Sequence, residues 1–153
     1  MKSILFALGA STILAAAASA QGAPPALEKV LAGTWTCSAE GNGMAVTSTT
    51  NYLAGGKETF DVAVKADAAG TQIEFTGDGT ADWKWNDKLV ETITAISIKT
   101  ARMGGQEIPA ADMQAMVEGM MVGQVSTSSV RINSDGKEMI LVDTNDITTN
   151  CKR

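Results

Sequence analysis

The sequence predicts an all-β fold with one inserted helix: an antiparallel meander of eight or nine strands closing into a small barrel. Three observations carry this expectation. From Gly33 onward, apolar and polar residues alternate with a period of two, the pattern of strands with one packed and one wet face. Residues that tolerate positive φ punctuate these runs, as in Gly41-Asn42-Gly43, Gly55-Gly56-Lys57, Gly77-Asp78-Gly79, Asn86-Asp87, Asp135-Gly136 and Asn145-Asp146. One longer segment, about 109–122, switches to the 3.6-residue period of a helix. Eight strands suffice to close a small barrel, which removes sheet edges and leaves side chains or one small ligand inside.

In chain order, residues 1–20 read as a secretory signal peptide. Lys2 supplies the positive start, Ile4 to Ala18 the apolar run, and Ala18-Ser19-Ala20 a small-x-small cleavage site before Gln21. The run is shorter than the roughly 20 residues a spanning helix needs, and no second apolar segment of that length follows. Cleavage after Ala20 leaves 133 of the 153 residues and, by removing Lys2, takes the formal charge from −5 to −6. A periplasmic or secreted protein, without a membrane span and monomeric, is the expectation. Residues 21–32 form a short lead-in, where Ala26 to Leu31 makes one or two helical turns with Leu27, Val30 and Leu31 on one side.

Residues 33–153 then form a single domain. Strands are expected at about 33–39, 44–52, 58–66, 71–76, 80–85, 88–99, 125–132, 138–143 and 146–151. Pro109 opens the inserted helix and Gly123 stops it, with Met113, Met116, Val117, Met120 and Met121 at i, i+3, i+4, i+7 and i+8 on one apolar face. Packing of this face against the sheet is the simplest reading, since methionine fills irregular gaps. A lid over a barrel mouth is a second reading. Thioether binding of a soft metal is the least favoured, and no metal or other cofactor is expected.

Export exposes Cys37 and Cys151 to oxidation, and two cysteines allow one intramolecular pairing, closing a loop of about 115 residues. A structural disulfide fits better than a metal site, for which two thiolates are half a ligand set, or a redox pair, which would call for Cys-x-x-Cys.

Gly33-Thr34-Trp35 follows the helical lead-in and opens the first strand. Here the chain resembles the lipocalin and wider calycin group, in which a Gly-x-Trp near the start of the first barrel strand follows a short helical turn. The resemblance implies a tryptophan at the closed end of the barrel, beneath a basic side chain from the end of the last strand, with first and last strands paired antiparallel. If Cys37 and Cys151 bond directly across such a pair, position 35 faces 153, and Arg153 stacks on Trp35. The alternative is that Trp35 is an ordinary core anchor and Arg153 a solvated terminus. The chain departs from the group in lacking the Thr-Asp-Tyr turn and a helix after the eighth strand; its helix lies between the sixth and seventh strand segments.

Composition narrows the function. The acidic balance argues against nucleic acid, whose binders need a basic face. The chain has no histidine, which removes Ser-His-Asp and Cys-His triads and imidazole metal sites. Candidate carboxylates are Asp61, Glu74, Asp82, Asp87, Glu91, Asp143 and Asp146, most of them expected on the wet side or at turn tips. No catalytic constellation is apparent, and the expectation is a non-enzymatic protein binding a small apolar or amphipathic ligand. Tyr52, Phe60, Phe75, Trp83, Trp85, Met113, Met116 and Met120 are its candidate lining; for the tryptophans, plain core packing is the simpler reading. The alternatives are a periplasmic interaction module such as an inhibitor of a lysozyme or protease, docking a basic partner through loops near Gly41-Asn42-Gly43 and Gly77-Asp78-Gly79, or a structural envelope protein.

Overall fold

A computed structural model describes residues 27–153; the expected signal peptide and the start of the lead-in, residues 1–26, lie outside the described residues. The elements are α1 (Leu27–Leu31), β1 (Gly33–Gly41), β2 (Met44–Leu53), β3 (Lys57–Ala68), β4 (Thr71–Trp85), β5 (Leu89–Met103), β6 (Gln106–Ile108), α2 (Ala110–Met121), β7 (Val125–Ile132), β8 (Glu138–Asp143) and β9 (Thr148–Lys152). All pairings are antiparallel, in the order β4-β3-β2-β1-β9-β8-β7-β5-β6, and β4 also pairs with β5. The eight strands other than β6 therefore form a closed ring. The fold is all-β with one inserted helix, as the alternation predicts.

The seam of the ring lies where the cysteines set it. In the β1–β9 register Cys37 faces Cys151 and Thr36 faces Lys152, and the disulfide joins the cysteines across a separation of 114 residues. One step further, the Arg153 guanidinium carbon sits 4.4 Å from the centroid of the Trp35 ring. Arg153 also donates through Nε to the Gly136 carbonyl at 2.7 Å and through a terminal nitrogen to the Ala32 carbonyl at 3.2 Å. Trp35 is fully buried and its indole N–H donates to the Leu31 carbonyl at 2.8 Å, so α1 is tied to the floor of the ring.

The interior packs as two clusters. At the α1 end Leu31, Trp35, Cys37, Tyr52, Trp83, Leu89, Met139, Leu141 and Cys151 pack together, with Trp85 half-buried beside them. At the other end Val62, Val64, Phe75, Ile96, Ile98 and Ala101 meet Met113 and Val117 of α2. Helix α2 thus covers the inner face of β3, β4 and β5, above the point where β7 leaves β5 at Thr92.

Two expectations need correction. Gly77-Asp78-Gly79 is no turn: β4 runs unbroken through it, and the expected strands 71–76 and 80–85 are one. Register shifts fall between Thr76 and Gly77 and between Thr80 and Ala81. A side chain at Gly77 or Gly79 would collide with the carbonyl oxygen of Ser97 or Ala95, and at Gly79 also with the Phe60 ring. These glycines permit close approach of two backbones, so this segment is not an exposed docking loop. β6, unforeseen, restores the count to nine strands; Gly104 and Gly105, both at positive φ, form the turn before it.

The second correction concerns α2. Met113 and Val117 are buried, but Met116 and Met120 are exposed at 41% and 56%. Gln114 sets the rotation. Its side-chain amide accepts from the Ile98 N–H and donates to the Ile96 carbonyl, each at 2.7 Å, and so stands in for a neighbouring strand where β7 has left β5. With position 114 turned to β5, positions 116 and 120 face solvent, so Met116 and Met120 do not line the interior.

Candidate functional site

Alternation on a closed ring decides which side chains point inward, and the two clusters do not fill the space between them. A cavity of about 340 Å³ remains, open to solvent. Its walls come from Val46 and Ser48 of β2, Phe60 and Val62 of β3, Ala81 of β4, Ile93 of β5, Met121 of α2 and Leu141 of β8. Most of this lining is apolar. Its polar part is concentrated where Tyr52, Glu58, Glu91, Thr50 and Ser126 approach one another.

Strand register brings these groups together. Tyr52 faces Glu58 across β2–β3, Glu58 faces Ala81 across β3–β4, and Trp83 faces Glu91 across β4–β5. The Tyr52 hydroxyl donates to Glu91 Oε1 at 2.6 Å, and Ser126 Oγ donates to Glu91 Oε2 at 3.3 Å. Tyr52 also meets the Trp83 ring edge to face, with centroids 5.7 Å apart, and the Trp83 indole N–H is held by the Lys57 carbonyl at 2.9 Å. The tyrosine and tryptophan thus form a rigid shelf beneath the carboxylates.

Glu58 is 7% exposed, and its Oε2 is buried without a hydrogen-bond donor among the described residues. Its carboxyl lies within hydrogen-bond reach of that of Glu91. Two ionised carboxylates cannot bond to each other, so the contact needs a shared proton. Burial first, and the Glu91 charge second, push the Glu58 carboxyl up to about 8. Burial raises Glu91 as well, partly offset by the hydrogen bonds from Tyr52 and Ser126. Burial and both carboxylates push the Tyr52 phenol far above its ordinary range, so it remains a donor. At neutral pH the pair holds a proton, and it can both donate and accept at the cavity wall.

The aromatic and methionine candidates divide between core and cavity. Tyr52 and Phe60 line the cavity. Trp83 and Trp85 pack in the α1-end cluster, and Phe75 and Met113 in the α2-end cluster, outside the cavity wall. Gly33, Trp35 and Arg153 lie together at the floor, where a side chain on Gly33 would sit 3.7 Å from the Arg153 guanidinium. Of the candidate carboxylates, Asp61 and Asp82 are outward and engaged by Lys99 and Lys57. Glu91 turns inward, contrary to the expected wet placement, and its partner Glu58 was not among the candidates. The signal for Glu58 is its phase: it shares parity with Phe60, Val62 and Val64. Among the described residues, no three acidic or cysteine side chains stand together as a metal site. No protein-family model matches the chain, and no curated protein matches it.

Proposed function

We infer that this is an exported, lipocalin-like protein that holds a small amphipathic ligand inside its strand ring without transforming it. The observation that carries this reading is the open cavity of about 340 Å³, apolar along its walls and polar where Glu58, Glu91 and Tyr52 meet. Its size falls at the lower end of small-molecule sites, and a mostly apolar wall with a few convergent polar groups is their usual composition. At about 30 Å³ per water-sized volume the space suits a ligand of about ten non-hydrogen atoms. The disulfide and the signal-like residues 1–20 support action outside the cytoplasm. Support for the lipocalin-like reading comes from Gly33-Thr34-Trp35 opening the ring, the helical turn before it, and Arg153 stacked on Trp35.

Native mass spectrometry of the purified protein after incubation with a lipid and metabolite extract tests the reading. A retained small molecule is expected, and Ser48→Trp, which fills the cavity from β2, should abolish retention. Protein that stays empty throughout, or retention unchanged by Ser48→Trp, would overturn it.

A further inference from the structure

The geometry points to a protonated primary amine with a short apolar chain as the ligand, its ammonium seated between Glu58 and Glu91 in place of the proton they share. This rests on the ligand-holding reading above and names the chemistry of the occupant.

The two carboxyls are on the wall of the cavity, and among the described residues lining it there is no lysine or arginine to neutralise them. Every other carboxylate that the structure pairs with a lysine lies on the outside: Lys57 with Asp82, Lys65 with Glu74, Lys99 with Asp61 and Asp78, and Lys152 with Glu138. Inside, acceptors outnumber donors. Glu91 takes the hydroxyls of Tyr52 and Ser126, while Glu58 Oε2 is buried with no donor among the described residues.

An alkyl chain alone would fill the walls but leave that buried oxygen without a donor, so the cost of an unpaired acceptor would persist. A carboxylate headgroup would add a third negative group. An ammonium supplies three N–H donors and the missing positive charge, so it can engage Glu58, Glu91 and the nearby Thr50 hydroxyl at once. Charge balance then requires a proton to leave: the carboxyl–carboxylate pair plus R–NH₃⁺ becomes two carboxylates bound to R–NH₃⁺, with one H⁺ released to solvent. The groups facing this exchange are Tyr52 and Thr50 from β2, Ser126 from β7 and, farther along the wall, Asp143 from β8. The Asp143 carboxylate is held by the backbone N–H groups of Asn145 and Ile147, at 2.7 and 2.9 Å.

The test is calorimetric titration of the purified protein with n-octylamine, 1-octanol and octanoate, a set matched in chain length and differing in headgroup charge. Titrations run at pH 7 in two buffers of different ionisation heat, with 0.3 M salt to screen binding to the acidic surface. Octylamine should bind at least tenfold more tightly than octanol and octanoate, release about one proton, and gain about tenfold in affinity per pH unit between pH 6 and 7.5. Glu58→Gln and Glu91→Gln should each weaken octylamine at least tenfold and abolish the proton release. Octanol or octanoate binding as tightly as octylamine, or amine binding without proton release, would overturn the amine assignment and leave the cavity reading standing. Failure of all three probes to bind at millimolar concentration would overturn both.

Discussion

Replacing Glu58 with glutamine isolates the proton stored in the ring. The folded chain keeps Glu58 protonated up to about pH 8, against 4.5 for the same carboxyl in an ordinary setting. Between those values the folded state binds more protons than the unfolded state. The contribution of this group is therefore fully present below about pH 4.5 and is lost as pH rises through about 8. Each pKa unit corresponds to about 1.4 kcal/mol, so the difference of about 3.5 sets a ceiling near 5 kcal/mol. Relaxation and water penetration through the open cavity reduce the loss to about 2–3 kcal/mol.

Urea denaturation at half-unit steps from pH 5 to 9 measures this loss. The window is unusually clean, because the chain has no histidine and ordinary carboxylates are already ionised there. Wild type should lose about 2–3 kcal/mol across it. Glu58→Gln matches the side chain in size and removes the titration. It should keep only the slope that Glu91 contributes and exceed wild type in stability at pH 9, a gain from deleting a charged group. A wild-type curve that is flat or rises between pH 5 and 8 would refute the buried, proton-sharing pair. So would a variant that keeps the full slope.

Three further outcomes follow from the packing. Trp35→Ala, at a fully buried ring-floor position, should cost about 3–5 kcal/mol in urea denaturation, whereas Arg153→Ala should cost about 0.5–2 kcal/mol through the lost cation–π contact. Replacing both Cys37 and Cys151 with serine should lower stability by about 2–4 kcal/mol while the far-ultraviolet circular dichroism stays that of an all-β chain. Gln114→Leu removes the partners of the Ile98 N–H and the Ile96 carbonyl, so it should cost about 1–3 kcal/mol and speed hydrogen exchange at the Ile98 amide, with little change at the β1–β9 seam.

Much of the architecture was legible because its signals are local. Period-two alternation reports a strand wherever one face is buried, and Gly41-Asn42-Gly43 and Gly55-Gly56 report turns because only certain residues accept positive φ. The β1–β9 seam, a contact between chain ends, was legible because a covalent bond between two particular residues fixes a register. Gly77-Asp78-Gly79 misleads for the same local reason. Glycine is needed both where a chain turns and where two backbones crowd, and composition does not separate the two. Phase does: Phe75, Gly77, Gly79, Ala81 and Trp83 stay on one parity, and a turn has no reason to preserve it.

The carboxylate pair shows where such reading stops. Phase alone could have placed Glu58 inward with Phe60 and Val62, and Glu91 inward with Leu89 and Ile93. Meeting is another matter. Glu58 lies on β3 and Glu91 on β5, and neither strand pairs with the other; β4 stands between them. Ala81 faces Glu58 across β3–β4 and Ile93 across β4–β5, while Glu91 faces Trp83, so the two carboxyls approach each other diagonally across β4, beside the small Ala81 side chain. The same logic applies to α2, where the methionine stripe points one way and a single glutamine, answering the exposed edge of β5, turns the helix another. Enlarging Ala81 to leucine therefore separates the two ideas of the site. If the pair depends on that gap, the variant should lose the pH 5–8 slope in stability while retaining the Tyr52–Trp83 shelf, seen as unchanged near-ultraviolet circular dichroism. A slope that survives Ala81→Leu would place the proton-sharing contact elsewhere than across β4.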